Sequence, residues 1–461
     1  MSTVGWLDGV RVLVAGAGVS GMAAARVLAE HRARVTVTDD RGERLGPAQG
    51  LAEGLEFEVG LAAPPAGTDL VVTSPGWRPD APLLAAAVSA GVEVIGEVEL
   101  AWRLDQWRDE PATWLAVTGT NGKTTTVGML ESMLRASGLD AVACGNVGLP
   151  VINAVDAGHS VLAVELSSFQ LHWSPLVRPF AGAVLNVAED HLDWHGSMDS
   201  YALAKARALA GDVAIGNADD PWSMRLLTAS PAARKVTITL GEPASGQLGV
   251  LSGGLVDRAF TGGAVLAATG DVSPPGPTGA ANALAAAALA LAAGVDIEAI
   301  GTGLAVFSPG EHRGAVVAER GGVRFVDDSK ATNPHAAAAS LRGYERVVWI
   351  AGGLLKGARV DELVEANAGR LAGVVLIGAD RAAFVTALAR HAPDVPVRQV
   401  ESRDDDAMAQ ALRAAAGLAQ PGDVVLLAPA AASMDMFTDY AHRGRSFAAA
   451  ARAVADRAHS R

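Results

Sequence analysis

Trp114-Leu115-Ala116-Val117-Thr118-Gly119-Thr120-Asn121-Gly122-Lys123-Thr124-Thr125 is the stretch that decides the fold. An apolar run of strand length leads into two glycines and a Lys-Thr pair, and an amphipathic helical pattern covers residues 126–136. Strand, glycine loop and helix together cradle phosphates: backbone N–H groups surround the oxyanions, the helix N-terminus adds its dipole, and lysine adds a point charge. The reading assigns Gly119, Thr120, Asn121, Gly122, Lys123, Thr124 and Thr125 to the triphosphate of ATP, with the Thr124 hydroxyl placed to reach Mg²⁺. Val117 stands where the general GxxxxGK[ST] pattern has its first glycine, so the loop is a variant.

Upstream, the apolar residues 10–15 precede Gly16-Ala17-Gly18-Val19-Ser20-Gly21 and a helical pattern to Glu30. A second strand at residues 35–38 ends in Asp39-Asp40-Arg41. Such glycines let a pyrophosphate approach the backbone, and an acidic residue about twenty positions on suits a ribose hydroxyl. By itself this turn fits a redox dinucleotide as well as another nucleotide. Ser74-Pro75-Gly76 closes a further strand at residues 70–73. Downstream of His312-Arg313, strands at 323–326, 346–351, 374–377 and 424–427 alternate with alanine-rich helices. The fold class is therefore α/β in three domains: Rossmann-like over 1–110, a P-loop ATP-binding domain over 111–312, and Rossmann-like again over 313–461.

Composition agrees with about three domains. Half of the 461 residues are apolar, yet no uncharged apolar stretch reaches the ~18–20 residues that span a bilayer. The alanine-rich residues 283–293 read as a buried helix. The opening Met1-Ser2-Thr3-Val4-Gly5-Trp6 lacks a basic start and a small-residue cleavage site, and Cys144 is the only cysteine. No internal disulfide is possible, which fits a reducing cytoplasm. A formal net charge of −13 speaks against nonspecific binding to nucleic acid or an anionic membrane, both of which need a basic face. A monomer is expected. Only five residues are lysine, Lys123, Lys205, Lys235, Lys330 and Lys356, and four of them fall inside motifs.

Ligands of open α/β sheets gather at the C-terminal ends of strands. A strand at 161–164 ends in Glu165-Leu166-Ser167-Ser168-Phe169-Gln170, and one at 183–187 ends in Glu189-Asp190-His191. A carboxylate and an imidazole thus emerge beside the phosphate loop, where Mg²⁺ can bridge phosphate oxygens. His191 and His195 have a zinc-like spacing, but no glutamate sits between them where a zinc hydrolase has its base.

These motifs, with Asn186-Val187-Ala188-Glu189-Asp190-His191 and Asp328-Ser329-Lys330-Ala331-Thr332-Asn333, resemble the Mur ligase family in the same order across all three segments. The resemblance implies an ATP-dependent ligase that extends a UDP-linked muramoyl precursor by one amino acid through an acyl phosphate, releasing ADP and phosphate. Asn121 in the P-loop, the absence of an Asp-Asn-Pro-Arg motif, and the run Asp327 to Pro334 with Ala432-Ser433-Met434-Asp435-Met436-Phe437 and Tyr440 are most similar to the members that add D-glutamate to UDP-N-acetylmuramoyl-L-alanine. Lys205, four residues after Tyr201, would be carbamylated and would hold two Mg²⁺ ions with Thr124, Glu165 and His191. Lys123, Glu165, His191 and Lys205 would carry the catalysis. Asn282 would meet adenine, Arg313 the γ-phosphate and Asp328 the ribose, with Lys330 in the same motif. Val19, Ser20, Asp39, Asp40, Arg41 and Gly76 would meet the UDP end, and Asn146 the muramoyl arm. Thr332 and Lys356 would bind the α-carboxylate of D-glutamate, Ser433 and Tyr440 its side chain. The chain departs from the family at Thr278-Gly279-Ala280-Ala281, where relatives often have His-Asn, and at Gly314, where many have a bulky residue. A nicotinamide oxidoreductase fused to a nucleotide-binding module, or a noncatalytic nucleotide sensor, remains an alternative reading of the residues alone.

Overall fold

The computed structural model describes residues 5–49, 54–402 and 406–456; residues 1–4, read above for an export signal, lie outside them. Three sheets organise the chain. The first is wholly parallel, in the order Glu56–Val59, Arg34–Asp39, Arg11–Ala15, Leu70–Thr73, Glu93–Gly96. Its central strands are continuous apolar runs because helices cover both faces, and Val12, Leu13, Val14 and Ala15 are at most 2% exposed. The register sets Ala15 against both Thr38 and Thr73, so the glycine turn, Asp39 and Ser74 share one edge. This strand order is one Rossmann half.

The second sheet has nine strands. Its parallel core runs Ala141–Gly145, Val161–Glu165, Thr113–Thr118, Ala181–Val184, Val213–Asn217, Arg234–Ile238 and Gln247–Leu251. Gly254–Asp257 and Ala264–Ala268 add antiparallel strands at one edge, which the sequence reading did not anticipate. The alanine run behaves as expected: Ala283 to Ala290 are fully buried in a helix. Alanine permits such close packing at no side-chain entropy cost. The strand expected over 183–187 runs over Ala181–Val184, and the residues after it brace the phosphate loop. The helix expected from residue 126 begins instead at Lys123.

Two compact units divide the chain, Met1–Ala268 with Ala281–Phe307, and Thr269–Ala280 with Ser308–Arg461. Within the first unit, helices Glu97–Asp105 and Val151–Asp156 join the first two sheets, where Glu97 Oε1 accepts from the Ile152 N–H at 2.7 Å. Asp105 accepts from the Trp114 indole at 2.9 Å and from the Ala112 N–H, fixing the boundary segment. The second unit holds a sheet in the order Ala315–Arg320, Val323–Asp327, Val424–Leu427, Val347–Gly352, Leu371–Ile377, Val397–Gln399, parallel except at its first pair. Trp349 is fully buried at its centre and donates its indole N–H to Ala428 O at 2.7 Å. Each fully buried Val, Leu or Phe of these cores contributes about 1.5–3 kcal/mol. Among the described residues no helix is long and apolar enough to cross a membrane.

Candidate active site

The phosphate loop requires glycine twice. Gly119 has φ +158° and Gly122 has φ +88°, and a Cβ on Gly122 would lie 2.5 Å from Asn282 Oδ1. Gly122 is the N-cap of the helix Lys123–Ala136, and no side chain caps that helix. Its first-turn N–H groups therefore point at the place an oxyanion would occupy. Lys123 Nζ folds back onto the loop, donating to Gly119 O and Thr120 O at 3.0 Å each.

Asn186 braces this loop, a role not anticipated from sequence although the residue lies in a quoted motif. Its Oδ1 accepts from Asn121 N at 2.9 Å, its Nδ2 donates to Asn121 O at 3.1 Å, and its backbone O accepts from Thr120 N at 2.9 Å. The backbone stays beside the neighbouring strand past Val184, with Leu185 N donating to Thr118 O at 3.0 Å, and this holds Asn186 against the loop. The Thr120 hydroxyl joins the Ala188 backbone and the Tyr201 hydroxyl, the latter at 3.0 Å. Thr125 is buried and Thr124 half-buried in the first turn.

The structure brings Lys205 to the same loop. From the helix Met198–Ala206 its Nζ donates to Gly119 O at 2.9 Å, so one carbonyl receives both Lys123 and Lys205. Lys205 is 1% exposed and lies 4.5 Å from the Tyr201 ring centroid. Burial holds its amine well below the ordinary lysine range; Lys123 pushes the same way and Asp190 opposes it. Glu165 is buried, accepting from Asn146 Nδ2 at 3.0 Å, while its backbone O accepts from Asn146 N. The expected muramoyl contact and an expected metal ligand are thus directly joined. His191 has a left-handed backbone, φ +53°, and its ring packs on Phe169 with centroids 4.7 Å apart. Burial lowers its pKa, Asp190 pulling up and Lys205 pushing down. His195 instead bonds Ser168 Oγ at 2.9 Å, and burial, then His172, His191 and Lys205, lower it to about 4. Among the described residues no three His, Cys, Asp or Glu side chains cluster to hold a metal.

At the N-terminal sheet's edge Asp39 is 4% exposed and turned onto the backbone. Its two oxygens accept from Ala17 N at 2.9 Å and Arg41 N at 3.0 Å, so it shapes the glycine turn. Val19, Asp40, Arg41 and Gly76 are exposed around it, and Ser20 is half-buried.

In the second unit, burial pushes the Asp328 carboxyl up to about 6, with Ser340 and Arg313 pulling it down. Ser340 Oγ hydrogen-bonds Asp328 Oδ2. Lys330 Nζ lies 3.9 Å from the Tyr440 ring centroid. The loop that carries Lys356, itself exposed and at φ +52°, is tied to the loop of Ser433 by reciprocal Leu354–Ala432 backbone bonds of 2.9 Å. Thr332 is half-buried and Ser433 is 4% exposed. Arg443, unremarked in the sequence, is buried beneath these loops.

Comparison with known proteins accords with this arrangement. Residues 10–96 match the family described as Mur ligase MurD-like, N-terminal domain; residues 117–290 match Mur ligase middle domain; residues 312–431 match Mur ligase, glutamate ligase domain. A protein of Thermobifida fusca named UDP-N-acetylmuramoylalanine--D-glutamate ligase is 58% identical over 465 residues, covering 97% of this chain and 99% of its own. One of the same name from Nocardia farcinica is 53% identical, covering 98% of each. The UDP-N-acetylmuramate-alanine ligase of Thermotoga maritima shares the fold with a TM-score of 0.56 at 18% identity, over 96% of this chain and 99% of its own. With relatives of more than half identity along nearly the whole length, and three family domains in order, the chain belongs to the Mur ligase family.

Proposed function

We propose that this protein joins D-glutamate to UDP-N-acetylmuramoyl-L-alanine at the cost of ATP, forming ADP and phosphate, in peptidoglycan precursor synthesis. The observation that carries the reading is the convergence of Lys123 and Lys205 on Gly119 O, in a phosphate loop flanked by Glu165, which itself accepts from Asn146. The relatives' shared name supports D-glutamate as the amino acid. On this reading residues 1–110 take the UDP moiety through Val19, Ser20, Asp40, Arg41 and Gly76, with Asp39 shaping the turn. Residues 111–312 take ATP, with Asn282 toward the base, and residues 313–461 take D-glutamate. Arg313, Asp328 and Lys330 serve the nucleotide, while Thr332, Lys356, Ser433 and Tyr440 serve the amino acid. The enzyme acts as a monomer in the cytoplasm.

A carboxylate does not acylate an amine at neutral pH because its leaving group would be oxide. Transfer of the γ-phosphoryl group to the L-alanine carboxylate gives an acyl phosphate, whose leaving group is phosphate. Lys123 and the first-turn N–H groups offset the charge that develops on the transferred group. The neutral amine of D-glutamate then attacks the acyl carbon, and phosphate departs. The donor set fits Mg²⁺, a hard cation that prefers oxygen and tolerates imidazole: Thr124, Glu165 and His191 offer three ligands. Lys205 fits the fourth place as a carbamate, since burial shifts its amine toward the neutral form, the form that adds CO₂, and the product is an oxygen anion. Two Mg²⁺ ions held there would neutralise phosphate charge. The reading is tested by mass spectrometry of the nucleotide product. It requires a species heavier than the substrate by one glutamyl residue, formed only with ATP, and formation of ADP without that species would refute it.

A further inference from the structure

Three loops of the second unit carry Thr332, Lys356 and Ser433, three of the four residues assigned to D-glutamate, and each belongs to a different strand end. Thr332 follows the strand Val323–Asp327, Lys356 follows Val347–Gly352, and Ser433 follows Val424–Leu427. Loops are the parts of a fold most able to drift. Among the described residues the one buried guanidinium lies beneath them.

Arg443, on the helix Tyr440–Asp456, is 1% exposed. Its Nε donates to Ser329 Oγ at 3.0 Å, one terminal nitrogen to Ser329 O at 2.9 Å, and the other to Ala431 O at 3.0 Å. It therefore grips the Thr332 loop and the Ser433 loop at once. Ala430 N donates to Ala331 O at 2.9 Å, a second tie between the same two loops. The Lys356 loop is hung on the residue after Ala431, through the Leu354–Ala432 pair. Ser329 Oγ in turn donates to Tyr440 O at 2.8 Å, which closes the circuit on the helix that supplies Arg443.

All three bonds of Arg443 go to neutral acceptors, while Asp435 and Asp327 act on it from beyond ion-pair range. Burying a charged group without an ion-pair partner is expensive. A planar fork that reaches three fixed acceptors is the return for that cost, and lysine or methionine cannot reproduce it. At 1% exposure Arg443 has too little surface to touch a substrate.

We propose that Arg443 is a positioning residue that holds the three amino-acid-binding loops in register, so that affinity for D-glutamate depends on a guanidinium that never meets it. The proposal rests on the D-glutamate ligase reading above.

The test is steady-state kinetics of full-length wild type, Arg443→Met, Arg443→Lys and Ser329→Ala, varying D-glutamate and ATP separately. Wild type serves as the control on the reading itself: if it shows no D-glutamate-dependent phosphate release, that reading fails, whatever the variants do. With an active wild type, Arg443→Met raises KM for D-glutamate at least about tenfold and KM for ATP by a clearly smaller factor, since the gripped Ser329 lies between Asp328 and Lys330, whereas two of the three loops serve the amino acid alone. Arg443→Lys lies between the two. Ser329→Ala removes one hydroxyl and one acceptor of the fork, and raises the same KM about fivefold. If Arg443→Met does not fold, Ser329→Ala decides. Equal changes in the two KM values, or a fall in kcat and thermal stability with both KM values unchanged, would reduce Arg443 to a structural residue and overturn the proposal.

Discussion

Replacing Lys205 by methionine separates stability from activity. The side chain is nearly isosteric, and the site gives up little by losing the amine. Lys205 Nζ makes a 2.9 Å bond to Gly119 O, worth about 1 kcal/mol net. Gly119 O keeps its other donor, Lys123 Nζ at 3.0 Å, so no buried acceptor is orphaned. Against the lost bond stands relief from burying an amine at 1% exposure, about 1–3 kcal/mol. Stability should therefore stay within about 2 kcal/mol of wild type, a shift of at most a few degrees in Tm for a chain of this size. Activity should not survive. On the proposed reading a carbamate at Lys205 would supply an anionic oxygen to the metals, and losing about 4 kcal/mol of transition-state stabilisation lowers kcat about 10³-fold. The assay is phosphate release beside a melting curve, in buffers with and without bicarbonate. Wild type should lose activity when CO₂ is stripped and regain it on return of bicarbonate, whereas Lys205→Met should ignore both. A folded Lys205→Met protein that keeps more than a tenth of wild-type kcat would refute the reasoning.

Two further outcomes follow from particular contacts. Asn186→Ala removes both side-chain bonds to Asn121, at 2.9 and 3.1 Å, and should raise KM for ATP about tenfold or more while leaving the fold intact; isothermal titration with an unhydrolysable ATP analogue checks it. Glu97 is fully buried, and burial pushes its carboxyl from the ordinary 4.5 to about 7, with Oε2 lacking a hydrogen-bond partner. The folded state thus binds the extra proton between about 4.5 and 7, so Glu97 lowers stability progressively as pH rises through that window, by up to about 3 kcal/mol. Glu97→Gln should abolish that decline and exceed wild type in denaturant midpoint at pH 8, while at pH 4 the two should nearly coincide. A pH-independent difference would contradict the assignment.

Legibility in the sequence followed the locality of the cause. The phosphate loop, the glycine turn and the parallel strands were readable because each rests on residues adjacent in the chain: Gly122 must adopt positive φ, and Leu13 to Ala15 must be apolar on both faces. The antiparallel strands Gly254–Asp257 and Ala264–Ala268 were not, since short segments of mixed burial carry little period-two signal. The strand end at Val184 was not legible because Leu185 and Val187 are as apolar as the strand itself, and the partner of Asn186, Asn121, lies 65 positions away. Arg443 escaped notice for the same reason: its acceptors lie 114 and 12 positions away, and one arginine among many carries no mark of burial. Asp39 shows the intermediate case. Its position after the second strand was legible, but its occupation by Ala17 N and Arg41 N belongs to the folded turn.

The central claim is tested most directly by measuring phosphate release from ATP and Mg²⁺ with UDP-N-acetylmuramoyl-L-alanine, comparing D-glutamate, L-glutamate, L-alanine and diaminopimelate in a bicarbonate-supplied buffer. The account predicts release with D-glutamate alone. Release with another of these amino acids would keep the ligase and overturn its specificity, and no release from folded protein with any of them would contradict the account.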